Sequence, residues 1–361
     1  RRESSPHAGI GRDCPDRQQS LNQSFDALHD LARILNVPPK ALSLNGELGI
    51  AFGARGSGKA SAHYEPAKVV INLTRTSGAG ALAHEWAHGL DDYFGRMATG
   101  GQIGKYVSHG AKGNEAFRAE LATAINAAMK AISERQWTAP EYVAELKARN
   151  TKAKTALASW LKSVDRETAK VALTDEHKAT VAELREMLLG ERLPPATEGQ
   201  ERPNMVQIAD DMLTFYNVAA KAQKVRIDWP VSGGGKFTDL ARGLGTTAGT
   251  IHYTNSELAK SEAGQITVPA RIVPTTMLET SQKQGDYWQR RHELFARTFE
   301  AFVEDSIRRE GNESPYLVQS TADSGAWGNL YPQGDERAAT NEAFQKMVDA
   351  LKTREEEIGR A

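Results

Sequence analysis

A single cysteine, Cys14, occurs in 361 residues. One thiol closes no disulfide and builds no cysteine-based zinc site within the chain, and it suits a reducing compartment. No stretch approaches the roughly 18 consecutive apolar residues that a membrane-spanning helix requires. The opening Arg1-Arg2-Glu3-Ser4-Ser5-Pro6 lacks the apolar centre of a secretion signal. These absences predict a soluble, cytoplasmic protein without a membrane partner. The first residue is arginine rather than methionine, which suggests a processed product or a domain cut from a longer polypeptide. Charge of one sign is missing too: 45 Lys and Arg against 46 Asp and Glu leave a formal net charge of −1. No overall basic field therefore calls for nucleic acid, although Arg55, Lys59 and the lysine-rich helices leave a local contact open. Internal repeats and long low-complexity tracts are absent. What remains, 40% hydrophobic and 25% charged residues, describes a globular chain long enough for one large domain or two ordinary ones.

One run carries chemistry on its face: His84-Glu85-Trp86-Ala87-His88. Histidines at i and i+4 leave a helix on the same side, so both imidazoles reach one ion while Glu85 stands beside them. A catalytic zinc keeps an open position for water and lowers its pKa toward about 7, and an adjacent carboxylate then takes the proton. Zn2+ is the expected cofactor and Glu85 the expected general base. The helix is expected from the spacing of Ala81, Leu82, Trp86 and Leu90, with Ser77 near its start and Gly95 as its stop. The competing reading is a surface helix with solvated side chains, but two His and a Glu on an apolar segment are costly to bury without a role.

Upstream, residues 1 to 20 read as a loose lead-in, followed by an amphipathic helix through Leu21, Phe25, Leu28, Leu31, Ala32 and Leu35, ended by Pro38-Pro39. Leu48 to Phe52 and Ala67 to Leu73 read as strands, with His63-Tyr64-Glu65-Pro66 between them, giving a small, mainly antiparallel sheet beside the histidine helix. A peptide substrate could extend such a sheet at its edge. The turn Gly53 to Ala60 nearly spells a phosphate-binding loop, but Ala60 stands where Ser or Thr would hold magnesium and a strand follows where a helix is required; a hairpin tip is preferred. From Asn114 to about Gln223 the helical periodicity predicts three to five helices with breaks near Pro140, Thr174 and Leu193-Pro194-Pro195. Gly-rich Ser232 to Lys236 opens a stretch without a clear assignment. Gln282 to Arg309 reads as one long helix and the last residues as another. The fold class expected is α+β, divided as 1–40 lead-in and first helix, 41–113 sheet and histidine helix, 114–223 helical insertion, and 224–361 the remainder of the core.

Zinc needs a third protein ligand. A histidine-extended motif would place glycine at position 91 and histidine at 94, where the chain has Asp91 and Phe94. The gluzincin plan takes a glutamate from a later Glu-x-x-Ala helix, and Glu293-Leu294-Phe295-Ala296 fits it. Glu300, two turns on, shares that face and competes as the third ligand or serves as a partner to a ligand histidine, and His109, in a glycine-flanked loop, could also ligate zinc. His292 points about 100° away from Glu293. The bland alternative pairs both carboxylates with Arg290, Arg297 or Arg308. Tyr331, Tyr106 and His109 are candidates for stabilising the oxyanion, and Asp91 or Asp92 for orienting an imidazole.

Gly49 to Gly56, Ala62 to Pro66, Val70 to Thr74, Gly78 to His88, Glu293 to Glu300, Tyr316-Leu317-Val318 and Tyr331 to Gly334 together resemble the first of the large polyvalent protein associated domains, found in long proteins of phages and conjugative elements. The resemblance covers both ends of residues 45 to 350 and omits the helical middle. It implies a gluzincin-like, zincin-fold metallopeptidase module that acts on a bacterial host protein or on its own parent polypeptide. The alternative function is a non-catalytic interaction or nucleic-acid-associated module whose metal is structural or vestigial.

Overall fold

The structure, a computed structural model, describes residues 17–52, 62–74, 79–110, 112–195, 203–231, 237–322 and 330–352. Cys14, the Gly53–Ala60 turn, Ser77 and the Ser232–Lys236 stretch lie outside the described residues, as do Trp327 to Asn329. The chain divides into two compact units: Arg1–Arg135 with Ile272–Ala361, and Gln136–Arg271. Helices dominate, with a small sheet, so the architecture is α+β. Among the described residues no helix is long and apolar enough to cross a membrane.

In the first unit, α1 (Arg17–Leu35) runs as the periodicity predicts. Its Leu31 and Leu35 are fully buried, while Leu21 and Phe25, assigned to the same apolar face, are exposed. Strands β1 (Gly49–Phe52), β2 (Ala62–Glu65) and β3 (Val70–Leu73) form a sheet in the order β1-β3-β2. The expectation of a mainly antiparallel sheet is corrected here: β3 pairs antiparallel with β2 but parallel with β1. The segment treated as a connection, His63 to Glu65, is itself a strand, so the tight hairpin joins β2 to β3 through Pro66 to Val69. That turn places Val69 at φ 51°.

Helix α2 (Leu82–Thr99) buries Leu82, Ala83, Trp86, Ala87, Leu90 and Phe94. Backbone carbonyls satisfy its first amides, since Leu317 O accepts from Ala83 N (3.0 Å) and no side chain caps Ala81. Its end is not Gly95, as the sequence suggested, but Gly100, left-handed at φ 71°. Gly95 serves a different need. A Cβ built there would lie 1.4 Å from Lys105 O, so only glycine lets the segment after the helix fold back onto it. Gly95→Ala is expected to destabilise the protein by about 2 kcal/mol or more, read from urea midpoints, because backbone rather than a pliant side chain must move. An unchanged midpoint would contradict that packing.

Helix α3 (Ala119–Ser133) packs on α10 (Gly334–Lys352), and Leu121, Ile125 and Met129 join the same core as Phe344, Met347 and Val348. The long helix expected over Gln282–Arg309 is two: α8 (Thr276–Gln284) and α9 (Arg291–Arg309). Gly285, at φ 119°, turns the chain between them. α9 packs along α2, with the Trp86 and Phe299 rings 5.6 Å apart.

The chain leaves this unit after β4 (Glu134–Gln136) and returns at β5 (Ile272–Pro274). The second unit is a bundle of α4 (Ala139–Thr168), α5 (Asp175–Leu189), α6 (Met205–Gln223) and α7 (Phe237–Glu262) around Leu157, Leu161, Leu213, Leu244 and Ile251. The predicted breaks are its caps. Thr138 and Glu141 form a capping box ahead of α4, with Pro140 in its first turn, and Thr174 caps α5. The insertion therefore spans Gln136–Arg271 rather than 114–223. α3 belongs to the first core and α7, in the stretch left unassigned, to the second. Helical periodicity alone does not say which core a helix buries its face against.

Candidate metal centre

Helices α2 and α9 bring His84, His88 and Glu293 together, and among the described residues these form the one group of three or more His, Cys, Asp and Glu side chains placed to hold an ion. His84 Nε2 and His88 Nε2 are 3.2 Å apart. Glu293 Oε2 is 3.6 Å from His84 Nε2, and its Oε1 is 3.6 Å from His88 Nε2. Tetrahedral ligands about 2.0 to 2.2 Å from a zinc ion stand about 3.3 to 3.6 Å from one another; one ligand atom from each residue lies within 4.8 Å of the others, so small side-chain shifts bring the three onto a shared cation. The tautomer agrees. Glu300 Oε2 lies 3.3 Å from His84 Nδ1, so that when a cation displaces the Nε2 proton the remaining one is held on Nδ1. Glu300 in turn accepts from the Tyr331 hydroxyl at 3.0 Å.

The electrostatics point the same way. Burial works against charge on His84, but hydrogen bonds to Glu293 and Glu300 and the field of Glu85 outweigh it and lift its pKa to about 10. Three carboxylates thus turn on a largely buried centre that calls for positive charge. Burial holds His88 neutral, at about 3. Glu293 is opposed by burial yet falls to about 2 through its contacts with His84 and His88. Glu85 is 7% exposed, and burial, offset in part by His84, raises it to about 7. The backbone N–H of Tyr64, on strand β2, hydrogen-bonds to its carboxylate. A carboxyl poised near neutrality beside a metal-ligand set is suited to accept and return a proton.

The other expected residues separate into distinct places. Tyr331 does not face the centre, since its hydroxyl is spent on Glu300 behind His84. In this arrangement Tyr331 orients the carboxylate that meets His84 Nδ1. Asp91 and Asp92 touch no imidazole. Both are fully buried and hold the backbone that follows α2: Asp91 Oδ1 accepts from Ser108 N (2.8 Å), and Asp92 accepts from Gly104 N (3.0 Å) and from the Tyr64 hydroxyl (2.9 Å). That backbone carries Tyr106 and His109. His109 Nε2 meets His292 Nδ1 at 3.3 Å, and the Tyr106 ring stacks on His292 with centroids 4.4 Å apart. His292 lies edge-on to His88 at 5.7 Å, so it belongs to the wall of the site although it points away from Glu293.

Two residues escaped the sequence reading. Tyr287, assigned to the apolar side of a helix that does not exist there, sits in the turn after Gly285. Its ring is half exposed, but its hydroxyl hydrogen-bonds Glu293, and burial together with that carboxylate raises its pKa. It is the tyrosine nearest the candidate ligands with a hydroxyl directed at one of them. Arg297, 3% exposed, donates to Leu330 O (2.7 Å), Trp288 O and Ser281 Oγ, and so holds the segments bearing Tyr287 and Tyr331. A glycine between two helical runs was the signal for the first. A basic residue inside an otherwise apolar α9 was the signal for the second.

Glu300→Gln is expected to weaken zinc binding about 10- to 100-fold while leaving the ligand set complete, the usual effect of losing a partner that orients a ligand imidazole. A competition titration against a fluorescent chelator measures it, and an unchanged affinity would remove Glu300 from this role.

Compared with known proteins, no curated protein and no solved structure matches the chain. One family model does: residues 279–355 match the large polyvalent protein-associated domain 1, a segment that begins in α8 and contains Tyr287, Glu293, Glu300 and Tyr331.

Proposed function

We propose that this chain is a zinc-dependent metallopeptidase with a gluzincin-type, zincin-like core, in which His84, His88 and Glu293 hold the metal and Glu85 is the general base. The observation that carries the reading is the convergence of three ligand atoms, within 4.8 Å of one another, beside a buried glutamate. A merely structural zinc site has no need of that glutamate. Zinc bound by this set would supply a Lewis acid and an acidified water.

The chain's own residues account for the remaining steps. Glu85, held by Tyr64 N–H, takes the proton from the attacking water and returns it to the leaving amine. Tyr287 would donate to the developing oxyanion once its hydroxyl is released from Glu293, with His109 and Tyr106 as the other candidate donors. Strand β2 borders Glu85 and, as an edge strand of the sheet, is available to pair with an extended peptide. The substrate is a protein, a bacterial host protein or the parent polypeptide itself, in the setting of mobile elements that the family match suggests.

The test is to purify the protein, measure its zinc stoichiometry, and incubate it with a proteome-derived peptide library. One zinc per chain, with cleavage abolished by chelator and restored by added zinc, is the expected outcome. A protein that takes up no zinc, or cleaves equally after chelation, would overturn the reading.

A further inference from the structure

The walls of the candidate site carry charge of one sign. The backbone after α2, residues 102–112, contains Lys105 and Lys112 and no acid; the approach to Glu293, residues 281–292, contains Lys283, Arg290 and Arg291 against Asp286 alone. In a chain whose net charge is −1, this is a local excess. The imidazole contact between His109 and His292 at 3.3 Å joins the two segments, and Arg291 Nε reaches across to Ser108 O at 2.7 Å. Lys105, Arg290 and Arg291 are exposed. Arg290 lies over the Tyr287 ring, 5.7 Å from its centroid, and His292 of the imidazole pair stands edge-on to His88. Among the described residues no carboxylate is seen in an ion pair with any of the three. Clustered exposed cations raise the local concentration of an oppositely charged ligand.

We propose that Lys105, Arg290 and Arg291 form a substrate-selecting rim, so that the polypeptide admitted carries an acidic side chain within a few residues of the bond over the His88 side of the site. The inference rests on the metallopeptidase reading and names its substrate class. A polypeptide is favoured over nucleic acid because three cations in a chain of net charge −1 are few for a phosphate backbone, which requires a continuous basic track.

The experiment uses the full chain with Glu85→Gln, which binds without turnover, and two fluorescein-labelled decapeptides that differ only in central Glu residues exchanged for Gln. Anisotropy at about 50 mM salt is expected to give about tenfold tighter binding of the Glu peptide. That preference is expected to shrink several-fold at about 300 mM salt, where charges are screened within some 6 Å, and to vanish in Lys105→Gln/Arg290→Gln/Arg291→Gln. Arg291→Lys, which keeps the charge, is expected to retain it. Equal affinities for the two peptides, a preference that survives in the triple variant, or displacement by single-stranded DNA at lower concentration than by the Glu peptide would each overturn the proposal. Wild-type protein separates the two readings: cleavage of both peptides at equal rates sinks the rim and leaves the peptidase, while selective binding without zinc or cleavage sinks the peptidase and leaves the rim.

Discussion

Glu85→Gln is expected to lower kcat/KM by about 10³-fold while the protein still carries one zinc. Positioned general bases contribute about 10²- to 10⁴-fold, and the glutamine keeps the shape and the acceptor for Tyr64 N–H but takes no proton. Zinc content by mass spectrometry, read together with turnover of the fastest peptide found, separates lost chemistry from lost metal. A variant within tenfold of wild type, or one that loses its zinc, would refute the role.

The substitution carries a stability signature of opposite sign. Burial raises Glu85 from 4.5 to about 7 in the folded metal-free chain. A raised folded pKa means that the contribution is fully present below the unfolded value and is lost as pH climbs through the folded one. Between about pH 4.5 and 7 the wild type therefore gives up stability that the neutral glutamine does not. Metal-free Glu85→Gln is expected to melt higher than wild type at pH 8, the gap closing toward pH 4.5. A buried residue that costs stability near neutral pH fits the proposed role, in which function is held against folding.

The second large effect concerns Glu293. Glu293→Ala is expected to weaken zinc binding by about 10² to 10³, since structural sites derive some 10 to 16 kcal/mol from four ligands and one is removed. The comparison with Glu300→Gln makes the test sharp. Glu293 meets both Nε2 atoms, whereas Glu300 meets only the outward nitrogen of His84. If the Glu300 variant loses more zinc than the Glu293 variant, the ligand assignment is reversed. Both variants remove a buried carboxylate, so a comparable fold, checked by circular dichroism, is the control.

Local signals reached the site unevenly. The spacing of His84, Glu85 and His88 needs only a helix to become a one-sided triad, and the helix is announced by its apolar stripe. Glu293 is 205 positions from His88, and only the Glu-x-x-Ala pattern suggested it, because no periodicity in one helix names its partner. Tyr331 was placed by its aromatic, glycine-rich surroundings, which mark a special backbone but not where a hydroxyl points. Tyr287 was missed because Gly285 was read through as helix, though a glycine in a helical run costs about 1 kcal/mol relative to alanine and often ends it. The parallel pairing of β1 with β3 was illegible for a related reason: strand order depends on how a connection crosses, and strand composition does not encode it. Cap residues Thr138 and Thr174, by contrast, were readable because a cap acts on amides two or three residues away.

The first unit is interrupted by the second, and this imposes an order of assembly. Trp86, Leu90 and Phe94 of α2 are synthesised early, yet α9, which covers that helix, follows only after all 136 residues of Gln136–Arg271. At about 5 to 20 residues per second, the wait between α2 and α9 is roughly 10 to 40 seconds. The four-helix unit is contiguous and can close during that interval, so it is the later-placed core that folds first. Two of the three candidate ligands then stay unmatched until α9 emerges, and a chain cut short before Glu293 has His84, His88 and Glu85 but not the carboxylate that completes the cluster.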